Sequence, residues 1–397
     1  MKNSKIYQFV KLPLSEIDER EFNSFSDKKV TTSIDWIRFI QEDSKADPVI
    51  IRITKNSQLC GYFSALKTKK MGITIVGSPF SGWSTVHMGL DLSDESERYS
   101  ILKELVPFIM ESEKCWFLQI SDRNFTIEGL NSIKDEVGFD VGDVGTYELC
   151  ISGDDDALYK QMKTDCRNYV RQFERRGATI EQVEPSDEFA EEYYEQLLDV
   201  FAKQGLVPTY TSEKVKCLLK HLKSSGNVLC FRVRDPEGKS IATSIFPGYN
   251  KKCYFWGGAS LRPYQQYRPN EYMIYTAMRS WRDRGCTEFD MVGIRPYKKK
   301  FGATEVHYPS VIMPKYRVLL RLRDMAAGLY YFSGKVLWKL HLKRWGNEYR
   351  INVSRCGKCT TSQIRFSEGG SSPIHYRFKS LFRAGFRILY EECCFLL

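Results

Sequence analysis

Residues 251–302 read KKCYFWGGASLRPYQQYRPNEYMIYTAMRSWRDRGCTEFDMVGIRPYKKKFG, and this stretch decides the fold. Residues 252–257 predict a strand, and residues 270–284 predict a helix with an apolar stripe. Residues 287–292 predict a second strand, and a lysine-rich turn at 298–300 follows it. This order of elements places the start of a helix close to the end of a strand.

The start of this helix is a candidate anion site, because the first backbone N–H groups of a helix are unpaired and bind phosphate. Asn270 stands immediately before the predicted helix and is expected to cap it, with Glu271 in the first turn. Arg262 and Arg268 in the preceding loop add positive charge. The alternative is that both arginines are solvated loop residues. These four residues are the candidate residues of this anion site.

Asp290 is the candidate general base. In the strand 287–292, Phe289 and Met291 lie on one face, and Glu288, Asp290 and Val292 lie on the other. A carboxylate at a strand end beside an apolar sheet has a raised pKa and accepts or relays a proton. The alternative is a turn-forming aspartate close to a glycine, which is common.

The helix predicted at 157–176 has a basic stripe. Lys163, Arg167, Arg171 and Arg175 recur every four residues beside an apolar stripe. Like charges at this spacing repel each other, so the stripe is costly unless it binds an anion. CoA phosphates, an undecaprenyl-type phosphate and tRNA all fit, and a solvated helix face is the alternative.

The rest of the chain alternates helices and strands in two successive units. The first unit has predicted helices at 31–40, 97–112 and 125–137 and strands at 48–54, 59–66, 73–77, 116–120 and 147–151. The second adds a strand at 178–183, helices at 187–203 and 211–224, and strands at 228–234, 240–249 and 308–313. This rhythm predicts an α/β protein with α+β mixed sheets and two domains, 1–152 and 153–315, followed by an extension, 316–397.

Several segments together resemble a known family. Residues 268–271 (Arg-Pro-Asn-Glu), 284–286 (Arg-Gly-Cys), 289–290 (Phe-Asp), Gly293 and 299–302 (Lys-Lys-Phe-Gly) are similar to the Fem-type peptidoglycan aminoacyltransferases. They also resemble GNAT-type acyltransferases of polysaccharide biosynthesis. Two further segments match the same relatives, namely 162–177, with an R-N-x-x-R-x-x-x-R-x-G-like pattern, and 78–89, SPFSGWSTVHMG.

The resemblance implies two tandem GNAT-like domains, with the acyl-donor site in the second. It implies that Asp290 and Lys300 border the reaction centre and that the loop at Asn270 faces the donor. The further substrate-binding candidates are Arg167, Arg171, Tyr254, Trp256 and Tyr297. The closely spaced glycines that GNAT enzymes commonly carry before this helix are absent.

The charge is uneven along the chain, which carries 59 Lys/Arg and 49 Asp/Glu. Residues 315–397 contain 16 Lys/Arg and 5 Asp/Glu, while the preceding residues are nearly neutral. A basic amphipathic pattern at 318–340 suits peripheral contact with an anionic membrane, and packing on the second domain is the alternative. The excess of positive charge predicts an anionic partner for the tail, namely a membrane surface, a nucleic acid or an acidic product, and a solvated, partly disordered extension is the alternative.

Other classes of protein fit the sequence poorly. The sequence lacks an apolar run long enough to predict a signal peptide or a membrane-spanning helix. We therefore expect a cytoplasmic protein, and the basic tail would allow it to bind the inner face of the membrane. Neither G-x-S-x-G nor H-E-x-x-H occurs. Cys356 and Cys359 form a CxxC without a spaced second pair, so no metal is expected.

The sequence therefore predicts an N-acyltransferase that moves an acyl group from acyl-CoA, used as a co-substrate, to an amine. The acceptor is a small-molecule or lipid-linked sugar of cell-surface polysaccharide synthesis. One alternative is aminoacyl transfer from tRNA to a peptidoglycan precursor, although no long helical arm is evident. The other alternative is a non-catalytic GNAT-like binding module.

Overall fold

The first half of the chain contains apolar runs that form strands covered on both faces. In the second strand, Val49, Ile50, Ile51 and Ile53 are all buried, as continuous runs of β-branched residues predict. The elements of this half are β1 (Gln8–Leu12), α1 (Glu19–Asn23), α2 (Ile34–Ser44), β2 (Asp47–Lys55), β3 (Gln58–Lys70), β4 (Ile73–Ser78), β5 (Gly89–Leu92), α3 (Arg98–Ser112), β6 (Phe117–Ser121), α4 (Ile127–Val137) and β7 (Asp140–Cys150).

The second half repeats this alternation. Its elements are α5 (Asp155–Gln161), α6 (Thr164–Arg175), β8 (Thr179–Val183), α7 (Asp187–Ala202), α8 (Ser212–Lys223), β9 (Val228–Arg234), β10 (Ser240–Tyr249), β11 (Lys252–Tyr254), β12 (Gly257–Ser260), α9 (Pro269–Arg282), β13 (Glu288–Asp290) and β14 (Thr304–Pro314). The computed structural model describes residues 6–70, 72–80, 83–202 and 208–318.

All fourteen strands within these ranges belong to one mixed sheet. Its order is β1-β2-β3-β4-β6-β14-β7-β13-β11-β10-β9-β8, with β5 beside β3 and β12 beside β10. Strand β14 comes from the second half of the sequence but lies between β6 and β7 of the first half, antiparallel to both. Strand β7 in turn pairs with β13 of the second half. Strands from the two halves of the sequence therefore alternate in the middle of the sheet.

Two hydrophobic cores lie along this sheet. One is built from first-half residues such as Phe63, Leu105 and Leu118. The other contains Met273 and Phe289 of the second half. Two cores on one sheet fit the predicted pair of GNAT-like domains. Residues 1–315 form one compact unit, and the boundary at 152 stays a prediction.

Three predicted elements differ from the structure. The helix predicted at 157–176 is interrupted at Met162 and Lys163, where Lys163 is extended (φ −63°, ψ 154°) and its N–H donates to the carbonyl of Lys300 at 2.9 Å. The strand predicted at 252–257 is divided into β11 and β12. The strand predicted at 287–292 ends at Asp290, because Val292 has a φ of +56°.

The amphipathic pattern at 318–340 and the CxxC at 356–359 lie outside the described residues, except for Val318. Among the helices of the described ranges, none has the length and apolar composition needed to span a bilayer.

Candidate active site

The sheet opens in the middle of the second half. Strands β11 and β13 run parallel, with Tyr254 beside Asp290. The last bond between them joins the N–H of Phe255 to the carbonyl of Asp290 at 2.8 Å. Beyond it, the N–H of Trp256 donates to the carbonyl of Ile245 in β10, and the N–H of Met291 donates to the carbonyl of Tyr147 in β7. The two chains therefore diverge after Tyr254 and Asp290 and leave a gap between β12 and the segment after β13.

Asp290 lies at this point of divergence and is fully buried. Its Oδ1 accepts a hydrogen bond from the Thr146 hydroxyl at 2.6 Å and another from the Val292 N–H at 2.7 Å. Its Oδ2 has no hydrogen-bond partner among the described residues. Burial raises the pKa of Asp290 to about 6, with Lys252 opposing the shift and Glu148 adding to it. One oxygen is thus fixed, and the other is available to take a proton.

A buried lysine compensates part of the negative charge at this site. The Lys252 side chain is only 2% exposed; it forms an ion pair with Glu148, and its Nζ lies 3.9 Å from Asp290 Oδ2. Glu148 also accepts a hydrogen bond from the Tyr308 hydroxyl at 2.7 Å. Burial opposes ionisation of Glu148, but Lys252 and these hydrogen bonds outweigh it and lower its pKa.

The first half of the chain contributes a histidine to the same polar cluster. His87 Nε2 lies 3.0 Å from the hydroxyl of Tyr254. Its Nδ1 is buried without a hydrogen-bond partner in the described part of the chain. Burial, and then the charges of Lys252, Lys29 and Arg123, lower the pKa of His87 well below its ordinary value. The imidazole is therefore neutral at pH 7.

A strained turn follows Asp290 and is held by Lys298. Val292 adopts a φ of +56°, which is unfavourable for a β-branched residue. The buried Lys298 Nζ donates to the carbonyls of Met291, Val292 and Gly293 at 2.7, 2.5 and 3.0 Å. Burial lowers the pKa of Lys298 to about 8, so the ammonium still has three protons at pH 7, one for each carbonyl. Because Val292 N–H binds Asp290, Lys298 positions the carboxylate.

The start of α9 differs from the predicted cap. The helix begins at Pro269, and its N-cap position is Arg268, in the left-handed conformation with a φ of +57°. Asn270 therefore lies inside the first turn, and its Nδ2 donates to Ser260 Oγ at 2.9 Å. The prediction that Asn270 caps the helix was wrong, because the proline at 269 already occupies the first helical position.

Charged and aromatic side chains surround this helix start. Lys300 Nζ binds Glu271 Oε1 at 2.6 Å. The guanidinium of Arg268 lies 4.1 Å from the centre of the Tyr169 ring. Arg262 and Tyr297 are exposed. The face therefore presents cations close to the backbone N–H groups of α9.

The basic stripe on α6 is less uniform than predicted. Arg167 donates to the carbonyls of Lys160 and Met162 at 3.1 and 3.0 Å, so it fastens α5 to α6. This use of the guanidinium within the chain competes with the predicted role in substrate binding. Arg171 is exposed and lies 5.6 Å from the Tyr159 ring.

Asp290 and Lys300 lie on opposite faces of the sheet. Cys253 and Phe289 pack in the core with Met273 of α9. The next residues, Tyr254 and Asp290, point to the other face because side chains alternate along a strand. The structure brings Asp290 together with Tyr254, and it brings Lys300 together with Glu271 and Arg268, with the sheet between the two groups.

The face of the sheet that carries Asp290 also has a cluster of aromatic side chains. The rings of Trp256 and Tyr210 are 5.1 Å apart, and the hydroxyls of Tyr193 and Tyr210 are 2.6 Å apart. The indole N–H of Trp256 is buried without a hydrogen-bond partner in the described ranges. This group continues the row formed by Lys252 and Tyr254 along the strand.

Sequence reasoning missed the residues that surround Asp290, namely Thr146, Glu148, Lys252 and His87. The available signal was a charged residue flanked by apolar or aromatic ones in a predicted strand, as at Glu148 between Tyr147 and Leu149. It also missed that Lys298, and not a neighbouring lysine, is the buried member of the lysine cluster.

Comparisons with known proteins agree with this architecture. Residues 160–299 match the family model described as an acetyltransferase (GNAT) domain. The solved structure of FemX is similar with a TM-score of 0.63 and 16% identity, covering 76% of this chain and 96% of that one. A tandem GNAT protein from the clavulanic acid biosynthesis pathway has a TM-score of 0.50 and 9% identity, covering 78% of this chain and 99% of that one. No curated protein gives a significant match.

The family match identifies residues 160–299 as a GNAT-type acetyltransferase domain. The fold of the described chain is similar to those of FemX and of a tandem GNAT protein. The matched domain includes α9, β13 and Asp290.

Proposed function

We propose that this protein is an N-acyltransferase that moves an acyl group from acyl-CoA to an amine on a sugar or cell-surface polysaccharide precursor. The observation that carries the proposal is the state of Asp290. It is a buried carboxylate at the point where the sheet opens. One oxygen is fixed by hydrogen bonds, and the other has no hydrogen-bond partner among the described residues.

The donor would approach from the side of α9. There, unpaired backbone N–H groups at the helix start and the cations Arg268 and Lys300 suit a phosphorylated carrier. The thioester would extend into the gap between β12 and the segment after β13. A donor held in this gap would reach the opposite face, where Asp290 lies.

The acceptor would occupy the face with Asp290, Tyr254 and Trp256. Aromatic rings with hydroxyl and N–H groups suit a polar ring such as a sugar. The amine nitrogen attacks the thioester carbonyl carbon, and the carbon–sulfur bond breaks. Asp290 Oδ2 takes the proton that the amine loses, and the departing thiolate takes a proton from solvent. Because Asp290 is fully buried, side chains at the gap must move before the substrates meet.

A second candidate donor is aminoacyl-tRNA. It is favoured by three exposed cations, Arg171 and Arg175 on α6 and Lys163 immediately before it. Helix α6 packs beside α9 through Phe173 and Tyr272, with ring centres 4.0 Å apart. A polynucleotide donor would contact several of these cations at once, and its binding would weaken steeply with salt.

One experiment separates the two donors. Thermal unfolding of the full chain is followed with CoA, acetyl-CoA or a mixture of aminoacylated tRNA, at low and at physiological salt. A ligand at 100 times its Kd raises the unfolding free energy by about 2.7 kcal/mol. Stabilisation by CoA that changes little with salt supports acyl-CoA, whereas stabilisation only by tRNA and only at low salt supports the alternative. No stabilisation by any of the three would refute both.

Turnover is then measured as thiol release from acetyl-CoA in the presence of a panel of amino sugars. Asp290→Asn should abolish release that depends on the amino sugar. Release that persists in this variant would remove Asp290 from the mechanism.

A further inference from the structure

Helices α2 and α8 carry three possible metal ligands at the place where they pack together. Glu42 comes from α2, and Cys217 and His221 come from α8. One ligand atom from each residue lies within 4.8 Å of the other two. Cys217 and His221 are four residues apart on one helix, so their side chains share a face. That face is turned toward Glu42.

The three side chains are arranged so that Glu42 faces solvent and Cys217 lies behind it. His221 Nε2 lies 2.8 Å from Glu42 Oε2. Cys217 is buried, with its thiol 3.6 Å from the carbonyl of Phe39, whereas the Glu42 side chain is 42% exposed. An ion would therefore enter from the side of Glu42 and reach the sulfur behind it.

We propose that Glu42, Cys217 and His221 bind a thiophilic divalent cation, of which Zn²⁺ is the best match. Thiolate, imidazole and carboxylate are the three ligand types that zinc uses in proteins. Three protein ligands leave the fourth tetrahedral position for water. The cation replaces the proton of the Cys217 thiol, so each binding event releases one proton to solvent.

This site would act as a clip between the two halves of the chain. Helix α2 belongs to the first half and α8 to the second, and a metal bonded to both adds a cross-link to their packing. The proposal is independent of the proposed acyltransfer site, whose residues belong to other elements of the fold. The three residues come from distant parts of the sequence and form no local motif, so the sequence alone predicted no metal here.

Lys220 competes with the metal. Its Nζ lies 2.9 Å from both carboxylate oxygens of Glu42, and this ion pair must open before the carboxylate can bind a cation. Because the Lys220 side chain is 62% exposed, it can move into solvent. Removal of the ammonium should therefore strengthen metal binding, which a purely structural ion pair would not predict.

The test uses Co²⁺ as a spectroscopic substitute for zinc in the reduced full-length chain. Wild-type protein should develop a thiolate-to-cobalt charge-transfer band and the visible bands of a four-coordinate ion, and Zn²⁺ should displace both. Cys217→Ser should remove the charge-transfer band, and His221→Ala should weaken cobalt binding at least about tenfold. Lys220→Ala should tighten it.

The control is Cys356→Ser combined with Cys359→Ser, because these two cysteines are a separate source of a thiolate signal. The proposal stands if the band survives this double change and disappears in Cys217→Ser. It is overturned if no band forms with millimolar Co²⁺, or if the band survives Cys217→Ser. Circular dichroism of Cys217→Ser excludes loss of the fold as the cause of a lost signal.

Discussion

Replacement of Asp290 by asparagine should separate activity from stability. The carboxyl group has an ordinary pKa of 3.8, and burial raises it to about 6 in the folded protein. This difference corresponds to ~3 kcal/mol of preference for the neutral form. At pH 7 Asp290 is therefore mostly ionised in the folded protein, although its buried surroundings favour the protonated form.

The sign of the pH dependence follows from proton binding. Between about pH 4 and 6 the folded protein retains the Asp290 proton while the unfolded chain has released it, so the unfolding free energy falls as the pH rises. Asparagine has no such ionisation, and its Oδ1 can still accept from Thr146 and Val292. Asp290→Asn should thus be more stable than wild type at pH 7 by up to ~3 kcal/mol. The gain should shrink towards pH 4.

Urea unfolding from pH 4 to 8 measures this difference, and thiol release from acetyl-CoA with an amino-sugar acceptor measures turnover. Turnover of the wild type should rise with pH through about 6, and the variant should be at least about 100-fold slower. Asp283→Asn makes the same chemical change at an exposed site and should alter neither property. The raised pKa of Asp290 would be refuted if Asp290→Asn were less stable than wild type at pH 7 and its stability fell in parallel with that of wild type across this range.

The remaining predictions concern lysines. Lys252→Met should lower the unfolding free energy by about 3 kcal/mol in urea unfolding, because it leaves Glu148 charged and without its ammonium partner; Glu148→Gln in the same protein should restore part of the loss. Lys298→Met should cost about 2 kcal/mol, since three carbonyls lose their donor, and should lower turnover; unchanged turnover would contradict its positioning role. Lys300→Ala should weaken CoA binding about tenfold in calorimetry, or ~1.4 kcal/mol, whereas Lys299→Ala should not; equal effects would indicate only long-range attraction.

Local patterns in the sequence predicted the elements that position the site. The apolar period of 251–302 gave the strand, helix and strand that became β11, α9 and β13. The same pattern placed Asp290 at the end of β13. The resemblance to Fem-type and GNAT-type acyltransferases added the fold, which the comparisons confirmed. Secondary structure and strand ends depend mainly on residues that are close in the sequence, so they can be predicted from one sequence.

Only the tertiary structure decided the surroundings of Asp290. Thr146 is 144 positions away in the sequence, and the register of β7 against β13 brings it to the carboxylate. Insertion of β14 between β6 and β7 brings Tyr308 to Glu148. The sheet also separates Asp290 from Lys300, although they are ten positions apart. Strand pairing between residues so far apart leaves no signal in the local sequence. It depends on which strands of the two halves lie side by side and in what register.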